Sequence, residues 1–138
     1  MAGECLVVLA ATGPTPFGGV SPCGLAVDGE NVYWTDEGNN PIGGDVMRVP
    51  LGGGPATTFA SAQAEPQCVV LDAQNAYWTA GRNVIKAPLA GGPETAIAWG
   101  QNSDGELAVD STSVYWAVGD FFGLFATTSA GLSGSEEG

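Results

Sequence analysis

Histidine is absent from this chain of 138 residues, and positive charge is nearly so. Arg48, Arg82 and Lys86 stand against 15 acidic residues, for a formal net charge of −12. Without histidine, Ser-His-Asp and Cys-His mechanisms lack their base. With three cations a phosphate backbone is repelled rather than neutralised, which argues against nucleic acid as a partner, and the same charge disfavours an anionic membrane surface. The three cysteines, Cys5, Cys23 and Cys68, form no C-x-x-C pair, so a zinc site lacks its ligands. The longest apolar run near the start, residues 5–11, is too short to cross a bilayer. It has no basic flank of the signal-peptide kind, leaving open a cytoplasmic chain, a mature form or a piece of something longer.

Glycine is plentiful, at 22 residues, with nine prolines. Both fall mostly between apolar runs, where turns need them. The glycine runs join two strands and open no helix, so they do not read as phosphate-binding loops. The apolar content exceeds that of a disordered chain, and the length suits one domain. The acidity reads first as a means of keeping a glycine-rich β protein soluble.

One unit occurs three times. It reads Gly24-Leu25-Ala26-Val27-Asp28-Gly29-Glu30-Asn31-Val32-Tyr33-Trp34, returns as Val69-Val70-Leu71-Asp72-Ala73-Gln74-Asn75-Ala76-Tyr77-Trp78, and again as Glu106-Leu107-Ala108-Val109-Asp110-Ser111-Thr112-Ser113-Val114-Tyr115-Trp116. The tryptophans Trp34, Trp78 and Trp116 lie 44 and 38 positions apart. A period near 40 in strand-like sequence points to propeller blades of four strands each. In the first unit, strands are expected over 24–27, 32–35, 46–49 and 56–60. Asp28, Asp72 and Asp110 open the first turn of each unit, where a carboxylate accepts backbone N–H groups. Arg48 and Lys86 hold equivalent places on the third strand. The Pro-Leu-x-Gly-Gly-Pro runs from Pro50 and Pro88 make the last turn. The first two strands of a unit are apolar on both faces, which suits a sheet sandwiched between two others. Tyr33, Trp34, Tyr77, Trp78, Tyr115 and Trp116 are accordingly assigned to the core between blades rather than to a carbohydrate platform.

The expected fold is therefore all-β, a propeller segment of three blades: 22–61, 66–99 and 104–128, the last without its outer strand. Residues 4–11 read as an orphan outer strand that completes the last blade, and 129–138 as a flexible tail. Three blades do not close a ring, since propellers typically have four to eight. The uncovered faces call for a partner, and two chains about a two-fold axis make six blades. The alternative is a fragment of a longer propeller.

The run Val27 to Asp36, ending Tyr33-Trp34-Thr35-Asp36, resembles the YWTD repeat of low-density-lipoprotein receptors, and more closely the Gly-Gly-turn version in bacterial extracellular repeat proteins. The likeness spans about residues 5–128. The terminal Asp is kept once: the later copies read Tyr77-Trp78-Thr79-Ala80 and Tyr115-Trp116-Ala117-Val118. The resemblance implies a six-bladed propeller used for protein binding or as a scaffold, outside the cytoplasm or at the cell envelope, and implies no reaction.

Two loops on one face of the first blade are longer than their counterparts: the connection over 36–45, and residues 12–22 ahead of the first strand. Loops on a rigid frame are where binding tends to reside. Phe17, Asp36, Glu37, Asn39, Asn40 and Asp45 are thus the candidate ligand residues, for a protein or a small molecule, with oxygens suited to Ca2+; solvated loops are the plainer alternative. Cys23 and Cys68, near the start of adjacent innermost strands, invite a disulfide; otherwise all three thiols are buried and reduced. No cofactor is called for. Catalysis would have to come from carboxylates or a metal in the channel, as in propeller lactonases and related hydrolases, but the three turn aspartates recur in every unit and read as structural.

Overall fold

The computed structural model describes residues 23–36, 43–100, 103–118 and 123–128, with side chains over 24–36, 43–100 and 106–116. The expected strand 4–11, the loop 12–22 and the tail 129–138 lie outside them. The described residues form eleven strands and no helix. The first sheet holds β1 (Cys23–Val27), β2 (Asn31–Asp36), β3 (Gly44–Pro50) and β4 (Thr57–Gln63). The second holds β5 (Pro66–Leu71), β6 (Asn75–Ala80), β7 (Asn83–Pro88) and β8 (Thr95–Ala98). The third holds β9 (Ser103–Val109), β10 (Ser113–Val118) and β11 (Gly123–Thr128). Each is an antiparallel meander in chain order. The chain is an all-β segment of a β-propeller.

The sheets stack because both faces of each are apolar. Neighbouring residues on a strand point to opposite sides, so each Tyr-Trp pair sends its tyrosine forward and its tryptophan backward. Tyr33 and Trp78 meet in the first seam with Val46, Val69 and Ile85. Phe59 stands between them, with its ring centroid 5.5 Å from Tyr33 at 83° and 6.3 Å from Trp78 at 73°, both edge-to-face. Tyr77 and Trp116 meet in the second seam with Val84, Ile97, Leu107 and Val114. Burying one such tryptophan is worth on the order of 5 kcal/mol of transfer free energy, so the seams hold the sheets together.

Several strand bounds differ from the sequence expectation. β4 runs on to Gln63, pairing it with Gly44 across two irregularities in register, with Ala62 at φ 59°. β8 stops at Ala98, leaving Trp99 half exposed at 53%. β1 and β5 each carry a bulge, at Gly24 (φ 83°) and Cys68 (φ 48°). The bulges coincide because the innermost strands touch there: a Cβ on Gly24 would stand 2.8 Å from Cys68 Cα and 2.9 Å from Val69 N.

Candidate functional site

The turns that open each sheet are the most regular polar structure in the molecule. Asp28 Oδ1 accepts from the N–H groups of Glu30 and Asn31, both at 2.8 Å. Asp72 Oδ1 accepts from Gln74 (2.8 Å) and Asn75 (2.7 Å), and Asp110 Oδ1 from Thr112 (2.9 Å) and Ser113 (2.8 Å). The second oxygen takes the hydroxyl of the tyrosine five residues on: Tyr33 at 3.4 Å, Tyr77 at 2.7 Å and Tyr115 at 2.7 Å. Tyr33 and Tyr77 thus have two tasks, the ring in a seam and the hydroxyl closing the turn; Tyr115, expected in the core between blades, is instead half-buried on the outer face of the third sheet, because no described sheet lies against it. Each last turn is tied to the first: Leu51 N–H donates to Glu30 O (2.8 Å), and Leu89 N–H to Gln74 O (2.9 Å).

Between the first turns of sheets one and two lies an open cleft of about 520 Å³. Asp28, Glu30, Asn31, Tyr33 and Arg48 line one wall, and Asp72, Ala73, Leu89 and Ala90 the other. Arg48 is held with its guanidinium 5.3 Å from the Phe59 ring centroid. Burial pushes the Asp28 carboxyl up, but the N–H groups of Glu30 and Asn31, the Tyr33 hydroxyl and the charge of Arg48 together hold it below the ordinary value. Asp72 behaves alike: burial raises it, and the Tyr77 hydroxyl, the N–H groups of Gln74 and Asn75 and the Lys86 charge outweigh that. Asp110 is drawn down to about 2 by the Thr112 N–H, the Tyr115 hydroxyl and the Ser113 N–H. Its carboxylate in turn raises the Tyr115 phenol. Proton transfer at neutral pH favours a group titrating near 7. Asp28 and Asp72, the two aspartates that line the cleft, are displaced the other way, and each already accepts two backbone N–H groups and a tyrosine hydroxyl.

The cleft, at the first turns, lies at the opposite end of the first sheet from Asp36 and Asp45. Of the loop residues, Asp36 and Asp45 face each other across β2 and β3 at the far end of the first sheet, both half-buried. Phe17, Glu37, Asn39 and Asn40 lie outside the described residues, as do Cys5 and the Cys23 side chain; Cys68 is half-buried. Among the described residues, no group of three or more His, Cys, Asp or Glu could hold a metal ion. No helix among them is long and apolar enough to cross a membrane.

Sequence reasoning missed Gln63, which is 5% exposed. Its Oε1 takes the buried Trp78 indole N–H at 2.9 Å, while its Nε2 donates to Ser61 O (2.8 Å) and Glu94 Oε2 (2.6 Å). The outer strand of one blade thereby satisfies the tryptophan of the next. A signal was present: Gln63 stands fifteen residues before Trp78, and Gln101 fifteen before Trp116.

No family model matches the chain, and no curated protein matches it. Among solved structures, a chain in the crystal structure of a nidogen/laminin complex superposes with a TM-score of 0.62 at 20% identity, over 80% of this chain and 49% of that one. The likeness carries the fold, a β-propeller, and this chain spans about half the length of the one it matches.

Proposed function

We propose that the chain is a non-catalytic binding or scaffold module of the YWTD kind, which closes into a six-bladed ring through a second copy and works outside the cytoplasm. The observation that carries the reading is the one-way stacking of the sheets. Every seam joins a forward tyrosine face to a backward tryptophan face, so an arc of three blades ends in one face of each kind. The match to 49% of a longer chain supports the same reading. The third sheet has three described strands where the others have four, and the outer side of β11 is where residues 4–11 would add the fourth. Protein binding is inferred because the similar structure is that of a nidogen/laminin complex. The long loops bearing Phe17, Asp36, Glu37, Asn39, Asn40 and Asp45 are the proposed contact surface, with Ca2+ as the ion their oxygens would suit. An oxidising environment would also accommodate a Cys23–Cys68 disulfide.

Light scattering on the eluting protein tests the reading. A species of twice the chain mass, lost when residues 1–11 are deleted, is expected. A folded species of single-chain mass at micromolar concentration would refute ring closure.

A further inference from the structure

We propose that the two end faces of the arc, open at their inner strands, form one docking surface for a second copy of this chain, in a fixed pairing: the tryptophan face of blade 1 stacks on the tyrosine face of blade 3 of the second copy, twice about a two-fold axis. The proposal rests on the ring-closure reading and specifies which surfaces meet.

The repeat supplies an internal control for each position. Leu25 is 75% exposed, while its equivalent Val69, which faces blade 1, is 2% exposed. Val27 is 61% exposed, while its equivalent Leu71 packs against the first seam. At the other end Ala108 is exposed, where Ala26 and Val70 pack into seams. Tyr115 is half-buried, where Tyr33 and Tyr77 are fully buried. The inner-strand positions are thus buried wherever a neighbouring blade exists and open at both ends of the arc, while Trp34 and Val49, on the middle strands of the first blade's end face, are buried.

The occupant follows from the seams already formed. What covers a tryptophan face in this molecule is a tyrosine face, and blade 3 presents one uncovered. Three blades from each copy give six, within the range that closes a propeller. Trp34 is already buried at 8% exposed, so the open part of this face is its inner strand, at Leu25 and Val27. With a net charge of −12 on each copy, long-range repulsion opposes the assembly, so contact between apolar faces must drive it and added salt should tighten it.

The test uses the full chain in two forms, Leu25→Glu/Val27→Glu and Ala108→Arg, with sedimentation velocity as the readout and near-UV circular dichroism as the check on folding. All three positions are exposed, so the fold should survive; Leu25→Ser serves as a milder variant of the first. Each form alone should dissociate at least ~100-fold more readily than the unaltered chain, because a seam would bury unpaired charge. An equimolar mixture should recover the dimer, since it contains one unaltered seam and one in which arginine meets glutamate. Dimers of unchanged affinity from both single forms would overturn the assignment of faces while leaving ring closure intact. Two monomeric forms that do not recover on mixing would overturn the pairing of one face with the other. A monomer from the unaltered chain would remove the ring reading and this inference with it.

Discussion

Asp72→Ala should destabilise the protein more than Asp110→Ala, although the two turns are built alike. Both aspartates accept two backbone N–H groups and one tyrosine hydroxyl, at nearly the same distances. Their surroundings differ. Tyr77 is fully buried in the second seam, whereas Tyr115 stands on an outer face. Removing the Asp72 carboxylate takes the acceptor from a hydroxyl on a buried side chain, a loss of about 1–2 kcal/mol. The two turn N–H groups can turn to water, so each adds only about 0.5 kcal/mol. Asp72→Ala should therefore cost roughly 2–3 kcal/mol in urea unfolding, measured at one fixed protein concentration because assembly affects apparent stability. At Asp110 the same groups already meet water, and the change should be the mildest of the three turns. Asp28 should fall between, since its tyrosine bond is longer at 3.4 Å. In a Tyr77→Phe background the Asp72→Ala penalty should shrink by about 1 kcal/mol, the signature of a shared bond. Equal losses at Asp72 and Asp110, or a coupling below about 0.3 kcal/mol, would refute the claim that the tyrosine hydroxyl and the turn act as one unit.

Four further outcomes follow from the same geometry. Gly24→Ala should lose more than ~2 kcal/mol in urea unfolding, because its Cβ would stand 2.8 Å from Cys68 Cα at a φ of 83°. Cys68→Gly should instead gain about 0.5–1 kcal/mol in the same assay, since Cys68 adopts φ 48° at the position Gly24 fills in the first blade. Titrated by carbon NMR, Asp110 should show a midpoint near 2 rather than 3.8. A folded value below the unfolded one means that its contribution is complete above pH 4 or so and is lost as pH falls toward 2; Asp110→Asn should flatten that part of the acid-unfolding curve. The Tyr115 phenol, raised above 10.0, has the opposite sign: its contribution is complete below that value and fades as pH rises through the folded one, which an ultraviolet titration of Tyr115→Phe against the parent would register.

The repeat fixed the blades in advance because its cues are local. An aspartate five residues before a tyrosine closes a turn with its own neighbours, and alternation on each side of that turn selects strands whatever surrounds them. The strand starting near residue 24, the turns at Asp28, Asp72 and Asp110, and the burial of Tyr33, Trp34, Tyr77, Trp78 and Trp116 are readable at that range, whereas Tyr115 is only half-buried. What depended on the tertiary structure lies between blades. Gln63 became an acceptor for Trp78 only because the outer strand of one sheet crosses onto the next. The cleft exists because the first turns of sheets one and two stand side by side, so attention to loop length led instead to the opposite end of the first sheet, at Asp36 and Asp45. Whether Leu25 or its equivalent Val69 is buried was not decided by the residues, which are alike, but by whether another sheet lies against them. A pattern along the chain specifies which side chains prefer to leave water; only the stacking of whole sheets determines which of them do.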